Sequence, residues 1–181
     1  MKKFFIGLLL FITVTGMALG VSSAQNETIE FVYVSSYTAI PFDNMELNTM
    51  YVYPLGTVPE NQTYSLQSNT NTQIDKIPTD SDYYTYDANS ADYIFAGSCD
   101  SDETLYSKHY ITGDTVYKIR VENLKILSSQ QVECYNYNGA CVFSEKISAN
   151  SGMTGLVDVG YQRWYFLFPG SCNVEGYVRG S

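Results

Sequence analysis

The chain predicts an all-β protein, an antiparallel β-sandwich, on two observations. Short runs rich in Tyr, Val, Ile, Phe and Thr recur, broken about every eight to twelve residues by Gly, Asn, Asp, Ser or Pro, the spacing of strands and turns in a sandwich. No long stretch places apolar residues at i, i+3, i+4 and i+7 behind a capping residue, as a core-packed helix would.

The first residues, MKKFFIGLLLFITVTGMALGVSSA, set Lys2 and Lys3 ahead of an apolar run from Phe4 to about Leu19, followed by small residues at Ser22 and Ala24. This is the pattern of a secretory signal peptide, 1–24, cleaved after Ala24. The apolar run is diluted by Thr13, Thr15 and Gly16 and falls short of the roughly 20 residues a bilayer needs, so no membrane span is expected after cleavage. The terminal EGYVRGS has no greasy tail and predicts no lipid exchange. Residues 25–181 then suffice for one domain with its own core.

Within 25–90 the spacing predicts strands over 28–34 (TIEFVYV) and 49–54 (TMYVYP). The polar stretch that follows, GTVPENQTYSLQSNTNTQIDKIPTDSD, reads equally as a long loop, exposed edge strands or a poorly ordered insert. With no core of its own it belongs to the same domain. From 91 onward the strands are clearer, over 92–97, 104–111, 114–121, 131–135, 140–145, 155–159, 163–168 and 173–178, separated by turns such as Thr112-Gly113-Asp114 and Asn150-Ser151-Gly152. In 114–121 the alternation sends Tyr117, Ile119 and Val121 to one face and Lys118 and Arg120 to the other. In RWYFLF, Trp164, Phe166 and Phe168 share a face and Tyr165 and Leu167 the other, so this strand is expected to be covered on both sides or central in a sheet.

Four cysteines, Cys99, Cys134, Cys141 and Cys172, follow the leader. An even number in a secreted chain predicts two disulfides in one of three connectivities. In CYNYNGAC a four-residue loop with Gly139 left-handed would set Cys134 across from Cys141 and leave Cys99 to Cys172; a tighter Asn138-Gly139 turn would instead set Cys141 opposite Asn136. Zinc is disfavoured, because there is no CxxC and only one histidine.

The Gly113-Asp114 turn before a strand, the Trp164-Tyr165 pair in a late strand and the short terminal strand resemble those of small secreted sandwich modules of jelly-roll type, among them bacterial pre-peptidase C-terminal domains. The resemblance covers about 70 residues, roughly 110–178, and implies a jelly roll. The acidic mid-domain pattern of such modules is absent, so it implies no calcium site. An immunoglobulin domain does not fit: Gln162 and Trp164 stand where its tyrosine and second cysteine belong.

Removing Lys2 and Lys3 with the leader takes the formal charge from −9 to −11, which disfavours nucleic acid and anionic lipid as partners. No nucleophile elbow, phosphate loop or zinc-protease helix occurs. His109 reads as a plain strand residue. Two acidic clusters, one with Asp80, Asp82 and Asp87, the other with Asp100, Asp102 and Glu103, have the oxygen chemistry of calcium ligands without the twelve-residue loop. Tyr83, Tyr84 and Tyr86, beside the first cluster, would suit stacking on a sugar or contact with a protein. Sequons stand at Asn26 and Asn61. The reading is a secreted, disulfide-linked, non-catalytic binding module for a carbohydrate or protein partner. The alternatives are a structural envelope protein without a small ligand and a hydrolase using two carboxylates.

Overall fold

The computed structural model describes residues 28–34, 44–56, 70–87 and 90–180. The leader, both sequons and residues 57–69 of the polar stretch lie outside them. The strands are β1 (Glu30–Tyr33), β2 (Thr49–Pro54), β3 (Thr72–Ile74), β4 (Tyr83–Thr85), β5 (Tyr93–Cys99), β6 (Thr104–Ser107), β7 (Tyr110–Thr112), β8 (Val116–Asn123), β9 (Gln130–Asn136), β10 (Cys141–Ile147), β11 (Ser151–Asp158), β12 (Trp164–Pro169) and β13 (Cys172–Gly180). Among the described residues no helix is long and apolar enough to cross a membrane.

Two sheets face each other and do not close into a barrel. The smaller runs β11-β8-β13-β5; the larger runs β10-β9-β12-β6-β3, with β7 beside β12 and β4 beside β7. Strand pairings are antiparallel except β1 with β2 and β4 with β7. The core is an aromatic layer between the sheets. Phe95 of β5 lies 5.2 Å from Phe166 and 5.9 Å from Phe168, and Tyr117 of β8 meets the Trp164 ring edge-on at 5.2 Å. All five are buried, with Ile119, Val121, Val132, Val157, Val174 and Val178 around them. Gly176 leaves the space that the Phe95 ring fills: a Cβ there would stand 2.6 Å from that ring.

Both lateral edges of the sandwich are covered. On one side β1 and β2 lie against the structure, Phe31 packing on Phe143 of β10 and the Leu55 N–H donating to the Asn150 carbonyl. On the other side Thr70 bridges Ala96 of β5 while β3 pairs with β6, so one short segment ties both sheets. Covered edges matter because exposed strand edges template aggregation.

The strand at 49–54 has the expected bounds, and the expected faces of 114–121 and 163–168 are those observed. Two expectations are corrected. The run 104–111 is two strands, because at Lys108 the chain leaves β3: its N–H donates to the Asn71 carbonyl, after which Tyr110 to Thr112 pair with β4. The turn expected through Gly152 ends earlier, since the left-handed residue is Asn150 and β11 starts at Ser151. Of the readings open for the polar stretch, its described part contains one edge strand, β3, and β4 follows directly after it.

The loop between Cys134 and Cys141 takes neither of the two expected registers. Gly139 is left-handed as expected, but the loop closes from the Asn136 N–H to the Ala140 carbonyl and Cys141 pairs with Tyr135. A bulge between Cys141 and Phe143 then restores the register, so Phe143 pairs with Cys134. Cys134 therefore points into the core and Cys141 out beside Tyr135. All four thiols are unlinked in the structure. Cys99 and Cys172 are direct cross-strand partners with sulfurs 2.8 Å apart.

Phe166 touches Phe95, Phe143, Trp164 and Phe168. Phe166→Ala is expected to cost about 3–5 kcal/mol, read as a lower urea midpoint at unchanged m-value.

Candidate functional site

Tyrosine is a favoured strand residue, and period-2 alternation decides which tyrosines line the core and which face out. In β12 the core side belongs to Trp164, Phe166 and Phe168, so Tyr165 faces outward. Its cross-strand partner on β9 is Tyr135, with near-parallel rings 6.1 Å apart. On its other side Tyr110 of β7 meets it edge-on at 5.6 Å, and Tyr83 of β4 is the partner of Tyr110. Four tyrosines thus form one row across β9, β12, β7 and β4. Tyr106 flanks Tyr165 at 6.3 Å and Tyr137 flanks Tyr110 at 5.5 Å. The outer face of the larger sheet is an aromatic cluster, a platform in which Tyr110 and Tyr165 are themselves covered, 6% and 7% exposed, and Tyr83, Tyr137, Tyr106 and Tyr135 around them offer the accessible rings.

The rims of this platform are polar. At one end Tyr135 donates to Glu133 at 3.0 Å. At the other the Arg163 guanidinium lies 5.6 Å from the centroid of Tyr83 and 5.7 Å from that of Tyr137, both rings about half exposed. The backbone beneath is pinned, since the Tyr137 N–H donates to the Arg163 carbonyl at 2.7 Å. Burial pushes the Tyr165 phenol up to about 12 and raises those of Tyr106 and Tyr110, while the bond to Glu133 raises that of Tyr135. These hydroxyls keep their protons at neutral pH, that of Tyr135 spent on Glu133.

No protein family, no curated protein and no solved structure matches this chain. Its chemistry is therefore read from its own geometry.

Of the three tyrosines expected at a contact surface, Tyr83 alone stands in the row. Tyr84 turns inward, its ring 5.1 Å from Tyr86 and 5.2 Å from Tyr93, its hydroxyl donating to the Ala91 carbonyl. Tyr86 is 5% exposed. Its hydroxyl donates to the Val178 carbonyl and accepts from the Tyr93 N–H. Nothing in linear order singled out Tyr106, Tyr110, Tyr135, Tyr137, Tyr165 or Arg163, because their proximity is made by strand order. The one legible sign was Tyr165 facing away from Trp164 and Phe166.

The acidic residues serve turns. Asp82 accepts from the Thr79 hydroxyl and N–H, bonds that lower its carboxyl, and Asp87 accepts from Ser90 at 3.2 Å. Asp80, Asp100 and Asp102 are exposed, with Glu103 accepting from the Asp100 N–H. Among the described residues no three acidic, His or Cys side chains are grouped to hold an ion. An open cleft of about 710 Å3 is lined by Asp87, Asp92, Asp114 and Arg179, and there Arg179 holds Asp92 through two 2.7 Å bonds. His109 lies at the bend between β6 and β7, edge-on to Tyr93, and burial lowers its pKa.

One carboxylate pair does form, on the outer face of the smaller sheet. Glu122 of β8 and Glu175 of β13 are cross-strand partners, hydrogen-bonded to each other, and Arg120 also pairs with Glu122. Burial and then Glu122 lift the Glu175 carboxyl above its ordinary 4.5. The folded chain keeps this proton to higher pH than the unfolded chain, so its contribution to stability declines as pH rises from about 4.5 through the raised value. Glu175→Gln is expected to flatten that decline and raise the urea midpoint at pH 7 relative to the parent.

Proposed function

We propose that this chain is a secreted, non-catalytic binding module of jelly-roll type whose ligand is a carbohydrate held on the tyrosine platform. The observation that carries the reading is the row Tyr135, Tyr165, Tyr110 and Tyr83 on one sheet face. A pyranose ring presents an apolar face and a rim of hydroxyls, which matches flat apolar rings edged by protonated phenols. A set of preformed, mutually packed rings also loses little conformational entropy on binding.

The jelly-roll reading is supported by strand order. With β5, β6, β8, β9, β10, β11, β12 and β13 counted one to eight, the smaller sheet runs one-eight-three-six and the larger two-seven-four-five. That is the order laid down by two nested Greek keys.

The test is a glycan-array screen followed by calorimetry on the strongest binder. Tyr135→Ala and Tyr106→Ala are each expected to weaken binding about tenfold, the loss of one stacked ring. Tyr33→Ala, an exposed tyrosine on β1, should leave it unchanged. A blank array with folded protein, or equal loss in all three variants, removes the reading.

Secretion carries a covalent expectation. Cys99 and Cys172 pin the first and last strands of the smaller sheet and stand ready to form one disulfide in an oxidising compartment. A small-molecule disulfide would take the two electrons, and two protons leave. Protein exported into such a compartment should show two free thiols after denaturation, Cys134 and Cys141, and only Cys141 should react with a thiol reagent in the native state. Reducing the Cys99–Cys172 bridge should cost roughly 4 kcal/mol of stability. Four free thiols in exported protein would overturn this.

A further inference from the structure

Resting on the binding face described above, we infer that the sugar chain is carboxylated, and that Arg163 takes its carboxylate. The chain has three arginines. Arg120 pairs with Glu122 and Arg179 with Asp92. Arg163 has no carboxylate within ion-pair distance among the described residues; its contacts are the rings of Tyr83 and Tyr137. Ring faces hold a guanidinium by attraction to the π cloud and leave its N–H groups, which lie in its own plane, for another partner. A planar carboxylate accepts two of those donors at once, and it is the acceptor whose geometry matches the fork best.

The surroundings favour this partner over a neutral hydroxyl. An arginine left unspent in a chain with a formal charge of −9 is the local exception to a repulsive field. It stands between the half-exposed rings of Tyr83 and Tyr137, so a carboxylate on Arg163 and sugar faces on those rings and on Tyr135 can be met together. The charged groups near the row set its polarity. Asp80 acts on the Tyr110 phenol in the sense opposite to Arg163, and Glu133 holds the far end at Tyr135. A ligand therefore places its anionic unit at the Arg163 end and an uncharged unit towards Glu133.

The experiment compares, by calorimetry on the exported chain, a hexuronate oligosaccharide with its methyl ester, which keeps the backbone and removes the charge. The acid should bind about tenfold more tightly than the ester, with an advantage that fades as salt is raised. Arg163→Gln should abolish the difference, the acid then binding no more tightly than the ester; Arg163→Lys should keep part of it. Equal binding of acid and ester, or a preference untouched by Arg163→Gln, overturns the carboxylate assignment and leaves the platform reading standing. Preference for a sulphated neutral chain of equal charge overturns it as well. Failure of every sugar, acid, ester and neutral, with the protein folded by circular dichroism, overturns both.

Discussion

The structure depends on the alternation of β12 at the centre of the larger sheet. Trp164, Phe166 and Phe168 supply three of the five rings of the aromatic layer, and Phe95 and Tyr117 of the smaller sheet rest on them. Tyr165, between them in sequence, is delivered to the opposite face. Core and platform are thus two sides of one six-residue strand. A slip of one residue would exchange them, so the burial that fixes the register also fixes the platform. The Ser107 hydroxyl reinforces it from β6, accepting from the Phe166 N–H inside the sheet.

The platform further requires that the neighbours of β12 present tyrosine at the same level. On one side Tyr135 does so directly. On the other the break at Lys108 and His109 matters, because there the chain parts from β3 and joins β4, bringing Tyr110 and Tyr83 into the row. A straight strand over 104–111 would have no place for β4. The bulge in β10 serves the opposite face, returning Phe143 to the core after Cys141 has turned outward.

The two outer faces differ in kind. On the smaller sheet Lys118, Arg120, Glu122, Glu175 and Arg179 face out, Arg120 paired with Glu122 along its own strand and Arg179 with Asp92. On the larger sheet the charges stand at the rim and the middle is aromatic. Charged residues that pair internally keep a surface solvated and unattractive to partners, whereas packed rings with unspent donors lose little by exchanging water for a ligand.

Sequence periodicity alone determined that the chain is all-β, where most strands of the second half run, and which faces of 114–121 and 163–168 are apolar, because alternation is a local property of neighbouring residues. It also marked Gly139 as left-handed, since a tight turn needs a residue without a Cβ. The tertiary structure decided the order of strands, and with it everything that depends on which strands are neighbours. It gathered Tyr83, Tyr110, Tyr135 and Tyr165 from four separate segments, turned Tyr84 and Tyr86 inward, and set Cys141 against Tyr135. Those outcomes rest on pairings between residues far apart in the chain, and no local pattern of side chains encodes them.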